Sequence, residues 1–110
     1  MVATDVDIAD IVHAVVRELE PKIRVAKVIL FGSYASNTQE RWSDIDIAII
    51  SASLSSVPMW RRQEILAESL PSADVRLSPI GYAPEEISHP TLFLREILRT
   101  GTVVYEAPAA

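Results

Sequence analysis

The stretch that decides the fold runs from Val25 to Ser51 and reads VAKVILFGSYASNTQERWSDIDIAIIS. Its first seven residues are mostly apolar and β-branched and stop at Gly32-Ser33, a pattern typical of a buried strand ended by a tight turn. Its residues 44–50 begin by alternating acidic and apolar side chains and then become wholly apolar. A second strand is therefore predicted there, so the stretch consists of two strands joined by a polar loop.

The paired aspartates at the start of the second strand indicate a metal site. Side chains alternate between the two faces of a strand, so Asp44 and Asp46 share one face while Ile45 and Ile47 share the other. Two neighbouring carboxylates repel each other in the absence of a cation. Carboxylate oxygens suit Mg²⁺, which proteins commonly share with the phosphates of a substrate. The pattern thus predicts a magnesium site that receives a nucleotide.

The Gly32-Ser33 turn predicts the phosphate end of the same site. Gly32 allows the backbone to approach a ligand closely, and the amides at the start of a short helix predicted from Ser33 to Thr38 favour an anion. Arg41 lies in the loop between the two strands. Its guanidinium could contact phosphate or pair with a neighbouring carboxylate on the surface, and we favour the contact with substrate.

These residues together resemble a known signature. Gly32-Ser33, a polar loop with Arg41, and Ser43-Asp44-Ile45-Asp46 at the head of an apolar strand are similar to the motif of the DNA polymerase β-like nucleotidyltransferases. In length and layout the chain most resembles the minimal nucleotidyltransferases, often the antitoxin partner of a HEPN-domain toxin. A glycine that commonly follows the Gly-Ser pair is replaced by Ser36-Asn37, a departure that concerns the shape of the loop and leaves the metal ligands in place.

The resemblance implies a role for each site residue. Asp44 and Asp46 would hold two Mg²⁺ ions, and Asp74, on a third strand beside theirs, would ligate the metal nearest the acceptor. Gly32, Ser33 and Arg41 would contact the phosphates of ATP.

The predicted function is Mg²⁺-dependent transfer of AMP from ATP to a hydroxyl. The resemblance makes a tyrosine of a HEPN-domain toxin the expected acceptor, with the chain acting as antitoxin. Two alternatives stay open: a catalytically silent protein that binds nucleotide or neutralises a partner, and one subunit of a small-molecule nucleotidyltransferase of the antibiotic-modifying type. Base preference, acceptor and oligomeric state are not fixed by the sequence.

Composition limits the classes of protein to consider. With 110 residues, 49% of them hydrophobic, residues 1–110 are expected to form one nucleotidyltransferase domain with a frayed tail at 107–110. The chain has no cysteine, and neither a signal peptide nor an apolar run of membrane-spanning length is recognised, so a cytoplasmic protein is expected. A net charge of −5 argues against sequence-independent binding to nucleic acid.

The remaining periodicity predicts helices alternating with strands, and hence an α/β or α+β fold with helices packed against a sheet. A mixed sheet with a polymerase β palm-like core is what the resemblance implies. Arg61 and Arg62 are expected on a solvated helix face. The predicted elements are helix 5–19, strand 25–31, strand 44–50, helix 58–70, strand 72–78, a loop over 81–88, a helix from His89-Pro90 to Gly101, and strand 103–105. The apolar faces predicted for the last two helices comprise Met59, Ile65, Leu66 and Leu70, and then Phe93, Leu94, Ile97 and Leu98.

Overall fold

The computed structural model describes residues 5–33, 35, 44–70 and 77–108. The predicted helix from Ser33 to Thr38, except for its residues 33 and 35, lies outside this part of the chain, as do Arg41 and Asp74. In the described residues no helix combines the length and the apolar composition needed to cross a bilayer. The elements are α1 (Asp5–Leu19), β1 (Lys27–Phe31), β2 (Ile45–Ile50), α2 (Met59–Ser69), β3 (Leu77–Tyr82), α3 (Pro84–Ser88), α4 (Leu92–Thr100) and β4 (Thr102–Glu106), with one 3₁₀ turn at Ala52–Leu54 before α2.

The strands form a mixed four-stranded sheet in the order β3-β2-β1-β4. β1 pairs antiparallel with both β2 and β4, and β2 pairs parallel with β3. Because β1 and β2 are antiparallel, the end of β1 lies beside the start of β2, where Phe31 pairs with Asp46. The mixed sheet confirms the predicted fold class, and β3 lies next to β2 as predicted.

Each face of the sheet is covered by its own helices. On one face, Val12 and Leu19 of α1 and Leu66 of α2 pack with Ile47 and Ile49 of β2. On the other face, the buried residues come from α4 and from the alternate positions of the strands. They are Ile29, Ala48, Ile50, Tyr82, Leu94 and Ile97. Asp46 lies two and four residues before Ala48 and Ile50 on the same strand, so its side chain is on the same α4 face of the sheet.

Several predicted elements are confirmed closely. Helix α1 has the predicted bounds, and its apolar stripe is buried apart from the half-buried Ile11. The helix predicted over 58–70 is α2, with Pro58 as the residue before its first turn. In α4, the Thr91 side chain caps the start by accepting a hydrogen bond from the Leu94 amide at 3.2 Å, and Gly101 follows the last helical residue. The bounds of α1 and the end of α4 were predicted from local chemistry, whereas α4 begins at Leu92, after the predicted start at His89-Pro90.

The third strand ends later than the sequence pattern predicted, and residues 72–76 of the predicted strand lie outside the described residues. It runs from Leu77 to Tyr82, so Gly81, predicted to open a loop, lies inside the strand, and α3 occupies most of that predicted loop. Pro79 and Gly81 both disfavour a strand in sequence, which explains the error. The structure tolerates them because β3 is an edge strand that pairs only with β2 among the described strands.

The outer edge of β3 is interrupted at its centre. The Gln63 side-chain amide of α2 donates a hydrogen bond to the Pro79 carbonyl at 2.9 Å. Backbone N–H and C=O groups of one strand residue point to the same side, so the missing N–H of Pro79 also lies on this outer edge. Neither a free donor nor a free acceptor is therefore presented at that position.

The predicted apolar faces of α2 and α4 were too wide. Met59 is 39% exposed, and Phe93 and Leu98 are 55% and 37% exposed, whereas Leu66, Leu94 and Ile97 are buried. A helix of three turns or fewer that packs on a flat sheet buries only the residues nearest its contact line. The flanking apolar residues are consequently left near the surface.

Arg62 was expected on a solvated face, and this expectation is wrong. Its side chain is 9% exposed and its guanidinium donates to the carbonyls of Val57 and Gly81 at 2.7 and 3.2 Å. It also pairs with the Glu86 carboxylate at 2.5 Å, whose oxygen in turn accepts from the Ala83 amide. Arg62 therefore joins α2 to β3 and to α3. Arg61, by contrast, is exposed as predicted and pairs with Glu64.

Candidate active site

Gly32 and Asp46 meet where β1 ends and β2 begins. Gly32 follows the last residue of β1 and has a φ of +73°, in the left-handed region that glycine adopts without strain. A Cβ atom at this position would lie 2.3 Å from Oδ2 of Asp46. The absence of a side chain at Gly32 thus lets the turn approach the carboxylate directly. The predicted phosphate turn and the predicted metal ligand are neighbours.

The Asp46 carboxylate is half-buried, and its pKa is raised above the usual value of 3.8. Desolvation is the main cause, the Asp44 carboxylate adds to it, and a hydrogen bond with the Ser78 side chain opposes both. Desolvation and like charge both disfavour the ionised form, so a cation bound here would relieve an existing electrostatic strain. Asp44 precedes β2 directly and is exposed. Paired hard oxygens beside a side-chain-free turn fit Mg²⁺.

A cleft of about 580 Å³ opens over Asp46 on the α4 face of the sheet. The floor of the cleft is formed by the strands and includes Phe31 of β1, Asp46 of β2 and Ser78 of β3. These three residues are neighbours across the sheet, since Phe31 pairs with Asp46 and Asp46 pairs with Ser78. Helix α4 supplies the opposite wall, in which the ring of Phe93 meets that of Phe31 edge to face at 5.9 Å between centroids. The cleft is large enough for a nucleotide-sized ligand.

The structure brings together only part of the predicted site. Gly32 and Asp46 are in contact. Ser33 directly follows Gly32, and Asp44 lies two residues before Asp46. Arg41 and Asp74 lie outside the described residues. Within 5–33, 35, 44–70 and 77–108, no group of three or more His, Cys, Asp or Glu side chains is placed to hold a metal ion.

The sequence did not reveal that Ser78 and helix α4 line the cleft. Ser78 was assigned to the last position of the predicted strand, and the same alternation that marked Asp74 put it on the same face. That signal was available, but a serine carries no charge to draw attention to it. Phe93 was assigned to the buried face of its helix, so its place at the cleft could not be foreseen from periodicity.

Sequence similarity to a protein with an assigned activity extends over about half of the chain. Over 57 residues, about half of this chain, the sequence is 42% identical to the protein adenylyltransferase MntA of Shewanella oneidensis. That alignment covers 40% of the relative, so the chain matches well under half of its length.

Solved structures share the fold. A predicted nucleotidyltransferase of Sulfolobus solfataricus superposes with a TM-score of 0.69 over 92% of this chain and 82% of that one, at 15% identity, a likeness that concerns the fold alone. A toxin-antitoxin crystal structure with AMP-PNP gives a TM-score of 0.57 at 28% identity, covering 90% of this chain and 73% of that one.

The family comparison extends over almost all of the chain. The model that describes the family "Polymerase beta, Nucleotidyltransferase" matches residues 13–109. These bounds include β1, the Gly32 turn, β2 with Asp46, and the strand that carries Ser78. The resemblance inferred from Gly32-Ser33 and Asp44-Ile45-Asp46 is thereby confirmed, and the chain belongs to the polymerase β nucleotidyltransferase family.

Proposed function

We propose that this protein is a Mg²⁺-dependent nucleotidyltransferase that transfers AMP from ATP to a hydroxyl group of a partner protein. The observation that carries the proposal is the direct approach of the Gly32 turn to the Asp46 carboxylate, which puts a phosphate-binding backbone beside a metal ligand. Similarity to the adenylyltransferase MntA over half of the chain supports this choice of nucleotide and of reaction.

Each residue of the proposed site has one task. Gly32 and Ser33 bind the outer phosphates through backbone amides and the serine hydroxyl, and Arg41 adds a positive charge from the loop. Asp44 and Asp46 hold the metal ions, and Asp74 completes the ligands on the acceptor side. Mg²⁺, when bound, would neutralise charge on the phosphates and on the attacking and leaving oxygens of an in-line displacement. The new bond joins the acceptor oxygen to the α-phosphorus, the bond from the α-phosphorus to the bridging oxygen of the β-phosphate breaks, and pyrophosphate leaves. The Asp74 carboxylate helps to take up the proton of the acceptor hydroxyl.

The proposed acceptor is a tyrosine of a HEPN-domain toxin, and the proposed biological role is that of its antitoxin in the cytoplasm. Likeness to a toxin-antitoxin structure with AMP-PNP supports a protein partner and an adenine nucleotide. The cleft over Asp46 is open, as transfer to a macromolecular acceptor requires.

The experiment that tests this function is transfer of label from ATP that is radioactive at the α-phosphate. Purified wild-type protein, Asp46→Asn and Asp10→Asn are each incubated with Mg²⁺ and lysate of the source organism. Asp10 is an exposed residue of α1, so its substitution removes the same charge away from the site. We expect a labelled protein band with wild type and Asp10→Asn, and a loss of at least about 100-fold with Asp46→Asn.

Three other outcomes contradict the proposal in different ways. Full transfer by Asp46→Asn would show that the metal assignment is wrong. Label on a small molecule, with none on protein, would favour the small-molecule nucleotidyltransferase. Saturable nucleotide binding by wild type without any transfer would favour a silent nucleotide-binding or neutralising partner.

A further inference from the structure

Ser78 is the cross-strand neighbour of Asp46. It lies on β3, in register with Asp46 on the parallel strand β2, and its side chain forms a hydrogen bond with the Asp46 carboxylate. An ionised carboxylate only accepts hydrogen bonds, so the serine hydroxyl is the donor. Ser78 also lines the cleft that contains Asp46.

The Asp46 carboxylate has a close neighbour on each side, one from the β1 end and one from β3. On the β1 side, the Gly32 backbone lies so close that a Cβ atom would collide with Oδ2. On the β3 side, Ser78 lies directly beside it in the strand register, and its hydroxyl hydrogen-bonds to the carboxylate. A carboxylate at the end of a side chain otherwise rotates readily about its terminal torsion, and the nearby charge of Asp44 favours turning it away.

We propose that Ser78 is a positioning residue that fixes the orientation of the Asp46 carboxylate for metal binding. The inference rests on the proposed metal-binding role of Asp46. Groups that hydrogen-bond to a metal ligand orient it before the ion arrives, and the ion then meets a ligand whose freedom is already restricted. Ser78 is argued to act through the Asp46 ligand, so it is a positioning residue and not a metal ligand itself.

A purely structural role does not explain this serine. Ser78 is exposed, so its hydroxyl is not needed to satisfy a buried polar group of the core. Serine is also no better suited to a strand than threonine or valine, which gain from β-branching. What distinguishes Ser78 at its position is the hydroxyl that it directs at Asp46.

The test measures metal binding separately from catalysis. Binding of Mn²⁺, a spectroscopic substitute for Mg²⁺, is titrated by electron paramagnetic resonance with and without a non-hydrolysable ATP analogue. The proteins are wild type, Ser78→Ala, Ser78→Thr and the matched control Ser88→Ala, which removes an exposed hydroxyl from the last residue of α3. Melting temperatures are recorded for all four proteins.

We expect Ser78→Ala to bind Mn²⁺ about tenfold more weakly, the lower end of what loss of such a partner typically causes. Ser78→Thr keeps the hydroxyl and is expected to bind within about twofold of wild type, as is Ser88→Ala. The melting temperature of Ser78→Ala should fall only slightly, because the side chain is exposed and the substitution removes a single hydrogen bond to the ionised Asp46 carboxylate.

Equal Mn²⁺ affinity in Ser78→Ala and wild type would overturn the inference, and so would the absence of Mn²⁺ binding by wild type. A loss shared equally by Ser78→Thr would also do so, since it would mean that strand packing and not the hydroxyl matters. The proposed transferase function fails in a different assay, when wild type binds Mn²⁺ and nucleotide but transfers no label.

Discussion

Asp46 carries a charge where the fold disfavours one. Its folded-state pKa is raised, chiefly by desolvation, above the 3.8 that applies to an unconstrained aspartate. In the interval between these two values the folded state binds more protons than the unfolded state. Stability therefore falls as the pH rises through 3.8 toward the folded pKa, and the full penalty is present above the folded pKa.

Replacing Asp46 by asparagine should consequently stabilise the metal-free protein. The melting temperature of Asp46→Asn is expected to exceed that of wild type at pH 7 in EDTA, and the difference should shrink as the pH approaches 3.8. Calorimetry at several pH values measures it. A lower melting temperature for Asp46→Asn at pH 7 would show that the ionised carboxylate is stabilised by its surroundings.

Substitution of Gly32 is expected to lower the free energy of unfolding for two reasons that can be separated. Substitution by alanine forces a left-handed conformation on a residue with a Cβ atom, at roughly 1–2 kcal/mol, and brings that atom to 2.3 Å from Oδ2 of Asp46. A double-mutant cycle separates them. Urea denaturation should show that Gly32→Ala costs clearly more in wild type than in an Asp46→Ala background. Equal penalties in both backgrounds would mean that the turn moves away from the carboxylate.

At the scale of residues, charged site residues were easier to predict than contacts between strands. Asp44 and Asp46 could be recognised because the period of a strand fixes which side chains share a face, whatever the sheet order. Ser78 could not be paired with Asp46, because that pairing depends on the register between strands 32 residues apart, which periodicity does not give. Register comes from packing of the whole sheet.

At the scale of elements, the packing of α2 against β3 and α3 depends on Arg62, which contacts both. Its guanidinium satisfies two backbone carbonyls as well as the Glu86 carboxylate, and Gly81 lies so close to α2 that an added Cβ would be 3.7 Å from the Cβ of Arg62. Removal of one partner from a buried pair leaves the others unsatisfied, which is more damaging than loss of an exposed pair.

The neighbouring arginines offer a matched comparison. Arg62→Met should lower the free energy of unfolding by about 3 kcal/mol. Arg61→Met, which breaks exposed pairs with Glu64 and Glu68, should lower it by less than about 1 kcal/mol. Urea midpoints of both variants measure the difference. Similar losses for the two substitutions would contradict the buried role of Arg62.

Helices were predicted better than edge strands for a physical reason. The bounds of α1 follow from a long apolar repeat and the end of α4 from Gly101, signals that are local in sequence, although the Thr91 cap that starts α4 was not recognised. The bounds of β3 follow from its position at the edge of the sheet, where Pro79 and Gly81 are tolerated. Edge position is a property of the assembled sheet and leaves no simple trace in the sequence.

At the scale of the whole molecule, the net charge of −5 limits the partners. Sequence-independent binding to nucleic acid is driven by basic side chains that release counterions from the phosphate backbone. Fluorescence anisotropy with a labelled duplex at low salt and without Mg²⁺ should therefore show no saturation below about 100 µM protein. Saturation at lower concentration, weakened steeply by salt, would reveal a basic surface that the overall charge conceals.

Among the described strands, β3 and β4 are the two edges of the sheet, and they differ in how readily another strand could join them. The edge of β3 is blocked at its centre, because Pro79 lacks a donor and its carbonyl is already bonded to Gln63. The strand β4 contains no proline, and its residue Val103 is 49% exposed. If two copies of this chain associate by strand addition, we expect them to pair through β4. A chain with one competent edge can pair with a second copy but cannot extend into a filament.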